Sequence, residues 1–214
     1  MKSRAKAPTK VRGSEPPSQQ GAAALNQILT TSIELFSEQG FAATTMRQLA
    51  DRAGMPISAY YYYYRSKYDV LLAIIEIGHS EGDERIRAVV DPDLPADQQL
   101  GRLVEAHVAY HLESPLVARV ADRELRALKG PDLQRVLRRR HAYEQPFVAA
   151  IKRGMEEGSF PRDLDVTIAK NLIITMSTGV IDWWRPKGDY SAEQVAALIS
   201  DYAVRIAAGP LSTR

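Results

Sequence analysis

"TTMRQLADRAGMPISAYYYYYRSK", Thr44 to Lys67, reads as two short helices joined by a glycine turn. Thr45 stands where a helix N-cap belongs, and Gln48 three residues later completes the capping-box pattern. Met46, Leu49 and Ala50 then follow at helical spacing. Ala53-Gly54-Met55 breaks this helix after barely two turns, and Pro56 suits the first turn of the next because no amide hydrogen is needed there. The second helix carries five consecutive tyrosines, Tyr60 to Tyr64, and ends near Arg65-Ser66. Successive helical residues point about 100° apart, so five rings cannot serve one surface. Tyr60 and Tyr64 share a face with Ile57 and are expected to pack inward, while Tyr61, Tyr62 and Tyr63 project outward. An exposed tyrosine can donate to a phosphate oxygen or lay its ring against a thymine methyl. The competing reading of the run is an aromatic core helix.

Working outward, Leu25, Ile28, Leu29, Ser32, Ile33 and Phe36 form one face of an amphipathic helix that begins near Ala22 and stops at Gly40. Such a helix steadying two short ones across a tight turn is the pattern of a helix-turn-helix. Ser66 can cap a fourth helix reaching about Val89, with Val70, Leu71, Ile74, Ile75 and Ile86 at core spacing. Further helices are expected over about Asp97–Leu112, Pro115–Leu128, Asp132–Glu157, Asp165–Trp184 and Ser191–Ala207, with proline or glycine at nearly every junction. No strand pattern or repeat stands out, and the expected class is all-α. The expected organisation is a basic arm over residues 1–21, a helix-turn-helix head over 22–66 and a helical body over 67–210.

Composition narrows the function. The 214 residues are 45% hydrophobic and 25% charged, an ordinary globular balance. Absence of cysteine excludes disulfides, thiolate metal sites and a cysteine nucleophile. No apolar run approaches the ~20 residues a membrane span needs, and no signal peptide is visible, so a cytoplasmic protein is expected. The net charge is only +2, so any positive field must be local. Lys2, Arg4, Lys6, Lys10 and Arg12 concentrate it in an arm that cannot build a core, read either as a solvated tail or as an added phosphate contact. Nothing resembles a phosphate-cradling glycine loop or a nucleophile elbow, so no enzyme and no cofactor are expected. His107 and His111 lie four apart on one helical face. Without a third ligand they are read as two partly exposed histidines and not as a metal site.

The stretch from Gly40 to Leu71, through Thr44-Thr45-Met46, Ala53-Gly54, Tyr61 and Ser66-Lys67, closely resembles the head of the TetR family of transcriptional regulators. The resemblance implies a three-helix head whose third helix enters the major groove of an operator, on an all-helical regulatory body. By position, Thr44 resembles a phosphate-binding residue, Thr45 the cap, and Arg47 a side chain that reaches backbone or base. Ile57, Ser58, Tyr61, Tyr62 and Tyr63 match exposed recognition positions, and Lys67 matches a phosphate-clamping lysine. Three departures stand out. Tyr64 replaces a buried phenylalanine, Tyr68 replaces an acidic residue, and Ile57 with Ser58 offers little hydrogen bonding to base edges.

The segment from Val166 to Trp183 is apolar around most of a helix, which needs cover on two sides. With the final helix it is expected to pair with its copy in a homodimer, as the resemblance also implies. The second half is more loosely similar to regulators in the same family that respond to acyl-CoA thioesters in lipid and sterol breakdown. That similarity implies a small apolar or acyl-CoA-like effector, with Tyr110, Arg123, Tyr143, Phe147, Met176 and Trp183 as candidate lining. Arg119, Arg123, Arg126, Arg135, Arg138, Arg139 and Arg140 either hold a CoA phosphate or form a salt-bridged face with Asp122, Glu124 and Glu144. Pro146 is expected to kink a long helix and open a cavity. The expected function is thus a ligand-responsive regulator, most simply a repressor, with an architectural DNA-binding protein as the alternative.

Overall fold

The computed structural model of the chain describes residues 19–209. Among them the elements are α1 (Gln19–Gln39), α2 (Met46–Ala53), α3 (Ile57–Tyr63), α4 (Lys67–Ala88), α5 (Ala96–Glu113), α6 (Pro115–Arg123), α7 (Gly130–Glu157), α8 (Val166–Thr178), α9 (Val180–Trp183) and α10 (Ala192–Ala208). A 3₁₀ turn, Glu124–Ala127, follows α6. The described residues contain no strand, in agreement with the expected class. None of their helices is long and apolar enough to cross a membrane. The expected arm lies outside the described residues except for residues 19–21, which already belong to α1.

Contacts divide the chain into one unit running to Ser80 and including Leu116–Leu137, and a second made of Glu81–Pro115 and Arg138 onward. This departs from the boundary expected after residue 66. The cause is apolar packing: Val70, Leu71, Ile74 and Ile75 of α4 and Val117 and Val120 of α6 share the core of the head with Leu25, Ile28, Leu29 and Phe36 of α1, Leu49 of α2 and Tyr60 of α3. A three-helix head alone would leave that surface in water.

Within the first unit the local chemistry sets the turn. Thr45 accepts from the Gln48 amide at 3.2 Å while the Gln48 side chain accepts from the Thr45 amide at 2.8 Å, so both ends of the capping box close. Gly54 ends α2 at φ 63, and its amide bonds back to Ala50 and Asp51. Only glycine takes that conformation without strain.

In the second unit α5 packs on α10 and α8. Leu100, Leu103, Val104 and Val108 meet Phe147 and Ile151 of α7, Ile173 of α8 and Val195, Ala203 and Ala207 of α10. Gly101 lets α5 come close to α10: a Cβ there would sit 3.0 Å from the Ser200 hydroxyl, which donates to the Gly101 carbonyl at 2.9 Å. α7 runs through Pro146 as one helix. One expectation changes: the single helix expected to reach Trp184 divides at Gly179 into α8 and α9.

Candidate functional site

α3 presents Tyr62, Tyr61 and Ile57 at 67%, 50% and 41% exposure. Ser58 is exposed beside them, and spacings of three and four residues make these one continuous face. Tyr60 is fully buried, as its helical phase requires. Tyr63 departs from the outward placement expected for it. It is half-buried, packs on the head core and donates from its hydroxyl to the Gly21 carbonyl of α1 at 3.3 Å. Its ring stands perpendicular to that of Tyr62, with centroids 4.9 Å apart, and so orients the most exposed ring on the face. Tyr64 is the C-cap of α3, in extended backbone and half-buried against the same core.

The buried hydroxyls of Tyr60 and Tyr64 lack hydrogen-bond partners. Ser32 is the polar group that tempers the Tyr60 environment, but its own hydroxyl is spent on the Ile28 carbonyl at 2.7 Å. Burial raises both phenol pKa values, far above the usual range for Tyr64.

Two residues assigned to phosphate by resemblance are occupied inside the head. Thr44 is fully buried. Its hydroxyl donates to the Gly40 carbonyl at 2.7 Å and accepts from the Gln39 amide at 3.0 Å, so it locks the turn after α1 and offers no free group to DNA. Lys67 donates to the carbonyls of Phe41, Ala42 and Thr44 at 2.8, 3.1 and 2.7 Å, the full capacity of an ammonium. Arg47, by contrast, projects from α2 with its side chain 85% exposed and only a loose 3.9 Å pairing with Asp51. Thr45 remains exposed at the head of α2, committed to its cap.

The turn after α1 is also gripped from α6. Beyond the end of that helix, Glu124 accepts from the Phe41 amide at 3.0 Å. A cavity of about 190 Å³ adjoins this contact, lined by Phe36 and Gly40 on one side and Arg119, Arg123 and Glu124 on the other. Tyr68 has a structural use that explains its departure from an acidic residue. Its hydroxyl donates to Asp132 at 3.1 Å and accepts from the Lys129 amide at 3.3 Å, tying α4 to the start of α7.

In the second unit, three of the expected lining residues gather around a histidine pair. His107 Nδ1 lies 2.6 Å from the Tyr143 hydroxyl and Nε2 lies 3.1 Å from the Thr178 hydroxyl. The ring of Phe147 is 6.0 Å from that of His107, and Tyr110 stacks edge-on against His111 at 5.2 Å. Both histidines are buried, contrary to the partial exposure expected of them. Helical spacing shows that they share a face; that the face points into the core depends on α7 and α8. Desolvation, then the neighbouring His111 and Arg140, holds the His107 pKa well below the ordinary value, so its ring is neutral near pH 7. Met176 is half-buried on the same core. Trp183 does not join it, being 55% exposed, whereas Trp184 turns inward and donates to the Tyr190 carbonyl at 3.0 Å. Arg123 belongs to the first unit.

Two arginines of these stretches are in ion pairs with acidic partners other than Asp122, Glu124 and Glu144. Arg135 pairs with Glu76 at 2.8 Å and Asp132 at 2.9 Å, and Arg139 with Asp83 at 2.7 Å. Glu144 is taken by Lys170. No group of three or more metal-ligating side chains occurs among the described residues.

A helix-turn-helix with an exposed reading face, joined to a helical body, defines the class of helix-turn-helix DNA-binding regulators. Residues 28–74 match the family model described as bacterial regulatory proteins, tetR family, and residues 93–207 match the tetracyclin repressor-like C-terminal domain. The chain belongs to the TetR family, and it is a ligand-responsive DNA-binding transcriptional regulator and not an enzyme. It is 26% identical over 170 residues to the HTH-type transcriptional repressor KstR2 of Mycobacterium tuberculosis, covering 79% of this chain and 85% of that protein. A crystal structure of a tetR-family regulatory protein from Rhodococcus RHA1 superposes with a TM-score of 0.81 at 28% identity, over 89% of this chain and 98% of the other. AibR, solved with isovaleryl coenzyme A and operator DNA, shares the fold at a TM-score of 0.72 and 21% identity, over 83% and 94% of the two chains.

Proposed function

We propose that the protein acts in the cytoplasm as a homodimeric repressor, two copies of α3 gripping the half-sites of an operator until an acyl-CoA-like effector enters the body. The observation that carries this reading is the uncovered apolar face of the second unit. Ile168 and Leu172 on α8 and Leu198 and Tyr202 on α10 are exposed at four-residue spacings, while Ala169, Ile173, Val195 and Ala203 on the opposite faces are buried. Apolar side chains left in water at that density favour a second copy, and a twofold axis then sets two recognition helices about one DNA turn apart, ~34 Å.

The effector class draws support from AibR, which binds isovaleryl coenzyme A. In this chain Tyr110, Tyr143, Phe147 and Met176 supply apolar surface in the second unit. The Glu124 contact to Phe41 gives the 3₁₀ turn after α6 a direct hold on the turn that precedes α2. To carry the head from nearly all competent to nearly all released, the effector must prefer the released state by ~5.5 kcal/mol.

Fluorescence anisotropy tests the reading. Labelled DNA from upstream of the protein's own gene is expected to bind in a salt-sensitive manner and to be released by isovaleryl-CoA or a longer acyl-CoA. Selective binding that no thioester releases would replace the CoA effector by another ligand. Affinity indifferent to every metabolite would make the protein architectural.

A further inference from the structure

The reading face of α3 lacks the side chains that identify guanine or adenine. Its exposed members are Ile57, Ser58, Tyr61 and Tyr62, two hydrocarbon-rich rings, one branched alkyl group and three hydroxyls. Guanine is read by a guanidinium or ammonium and adenine by a carboxamide, each through two hydrogen bonds in the major groove. Of the nearby groups of those types, Arg47 on α2 and Arg65 beyond the end of α3 are exposed but lie outside this face, and the others are committed elsewhere. Gln48 closes the capping box of α2, Gln27 donates to the Ala53 carbonyl at 2.7 Å, Arg52 makes two hydrogen bonds to Glu38 at 3.2 and 3.0 Å, and Lys67 is spent on three carbonyls. A tyrosine or serine hydroxyl donates equally to the acceptors of several base edges and so discriminates little.

One major-groove feature does match rings and alkyl groups: the C5-methyl of thymine. The face also has the rigidity that methyl recognition requires. Tyr62 is braced edge-on by Tyr63, and Tyr63 is tethered to α1 through the Gly21 carbonyl. We infer that this head selects its half-site by thymine methyl groups, with Ile57, Tyr61 and Tyr62 as the specificity-determining residues and Arg47 serving the phosphate backbone. The inference rests on α3 being the base-reading helix.

The test uses the full chain and a random-sequence duplex pool, from which the best-bound duplex is selected at fixed salt. That duplex is remade with deoxyuridine for thymine, once throughout the half-sites and once only in the flanks. Burying one methyl is worth about a fourfold change in affinity, so two or more contacted thymines predict a loss of ~15-fold or greater in the half-sites and none in the flanks. Tyr62→Ala is expected to weaken binding to the thymine duplex and to shrink the penalty for deoxyuridine, while Tyr62→Phe keeps both. A side chain 67% exposed can be truncated without disturbing the core. Ile57→Ala repeats the comparison with a non-aromatic contact. Equal affinity for the thymine and deoxyuridine duplexes would overturn the inference and leave DNA binding intact, as would a penalty that persists unchanged in both alanine variants. Failure of any duplex to enrich would overturn the base-reading assignment of α3 and the inference together.

Discussion

The ammonium of Lys67 lies 2.8 Å from the carbonyl oxygen of Phe41 and 4.4 Å above the centre of the Phe41 ring. With its two further bonds to Ala42 and Thr44, this makes the first residue of α4 the clasp of the turn that leads into α2. A cation so placed holds that turn in position.

Lys67→Met therefore tests clasp against phosphate contact. Losing hydrogen bonds from a charged donor costs ~1.5–3 kcal/mol, so the melting temperature should fall and DNA binding should weaken by a similar factor at low and high salt. A lost phosphate contact would instead lower the slope of log K against log salt by about 0.9. A slope reduced by that amount would return Lys67 to the backbone of the operator.

Tyr64→Phe removes a buried hydroxyl that has no partner. A buried unsatisfied polar group costs ~1–3 kcal/mol, so the variant is expected to be at least as stable as the parent in urea denaturation. Destabilisation beyond ~0.5 kcal/mol would reveal a bond to that hydroxyl.

His107 gives the protein a pH dependence of known sign. Its folded pKa is depressed well below the ordinary value, whereas the unfolded imidazole takes a proton near pH 6.5. Below that pH the unfolded state binds more protons than the folded one. Stability from this site is therefore fully present above pH ~6.5 and declines below it by up to about 1.4 kcal/mol per pH unit. Thermal melts between pH 7.5 and 5 should show that decline, and His107→Gln should flatten it. An unchanged profile in the variant would place the titrating group elsewhere.

Leu172→Glu puts a charge on the exposed face of α8 without entering the core. Sedimentation velocity should show a dimer for the parent and a monomer for the variant, with operator affinity lost because the second head no longer assists. A variant that remains dimeric would move the interface away from α8.

The helices of the head were legible because each boundary has a local chemical cause. The Thr45–Gln48 capping box and the Gly54 break act within five residues, and both close as the sequence implies. The inward phase of Tyr60 follows from helical geometry alone. Beyond that range the partners of polar groups are not legible in the sequence. Thr44 and Lys67 keep the spacing of phosphate ligands, yet their polar atoms turn to carbonyls supplied by a neighbouring turn. Tyr68, marked in the sequence only as standing in place of an acidic residue, finds its partners about sixty residues away in Lys129 and Asp132.

The same division holds in the body. Apolar periodicity marked α8 and α10 and the need to cover them, but Gly179 ended α8 early and left Trp183 outside while Trp184 went in. That His107 and His111 share a face was visible in their spacing. Their burial, the depressed pKa of His107 and its bonds to Tyr143 and Thr178 exist only once α7 and α8 close over α5. The sequence by itself determined the all-helical class, the turn chemistry and the helix-turn-helix, because caps, glycines and hydrophobic period act over a few residues. The tertiary structure alone decided which polar groups remain free for DNA and which are consumed inside, because a hydrogen-bond partner distant in sequence is chosen by packing.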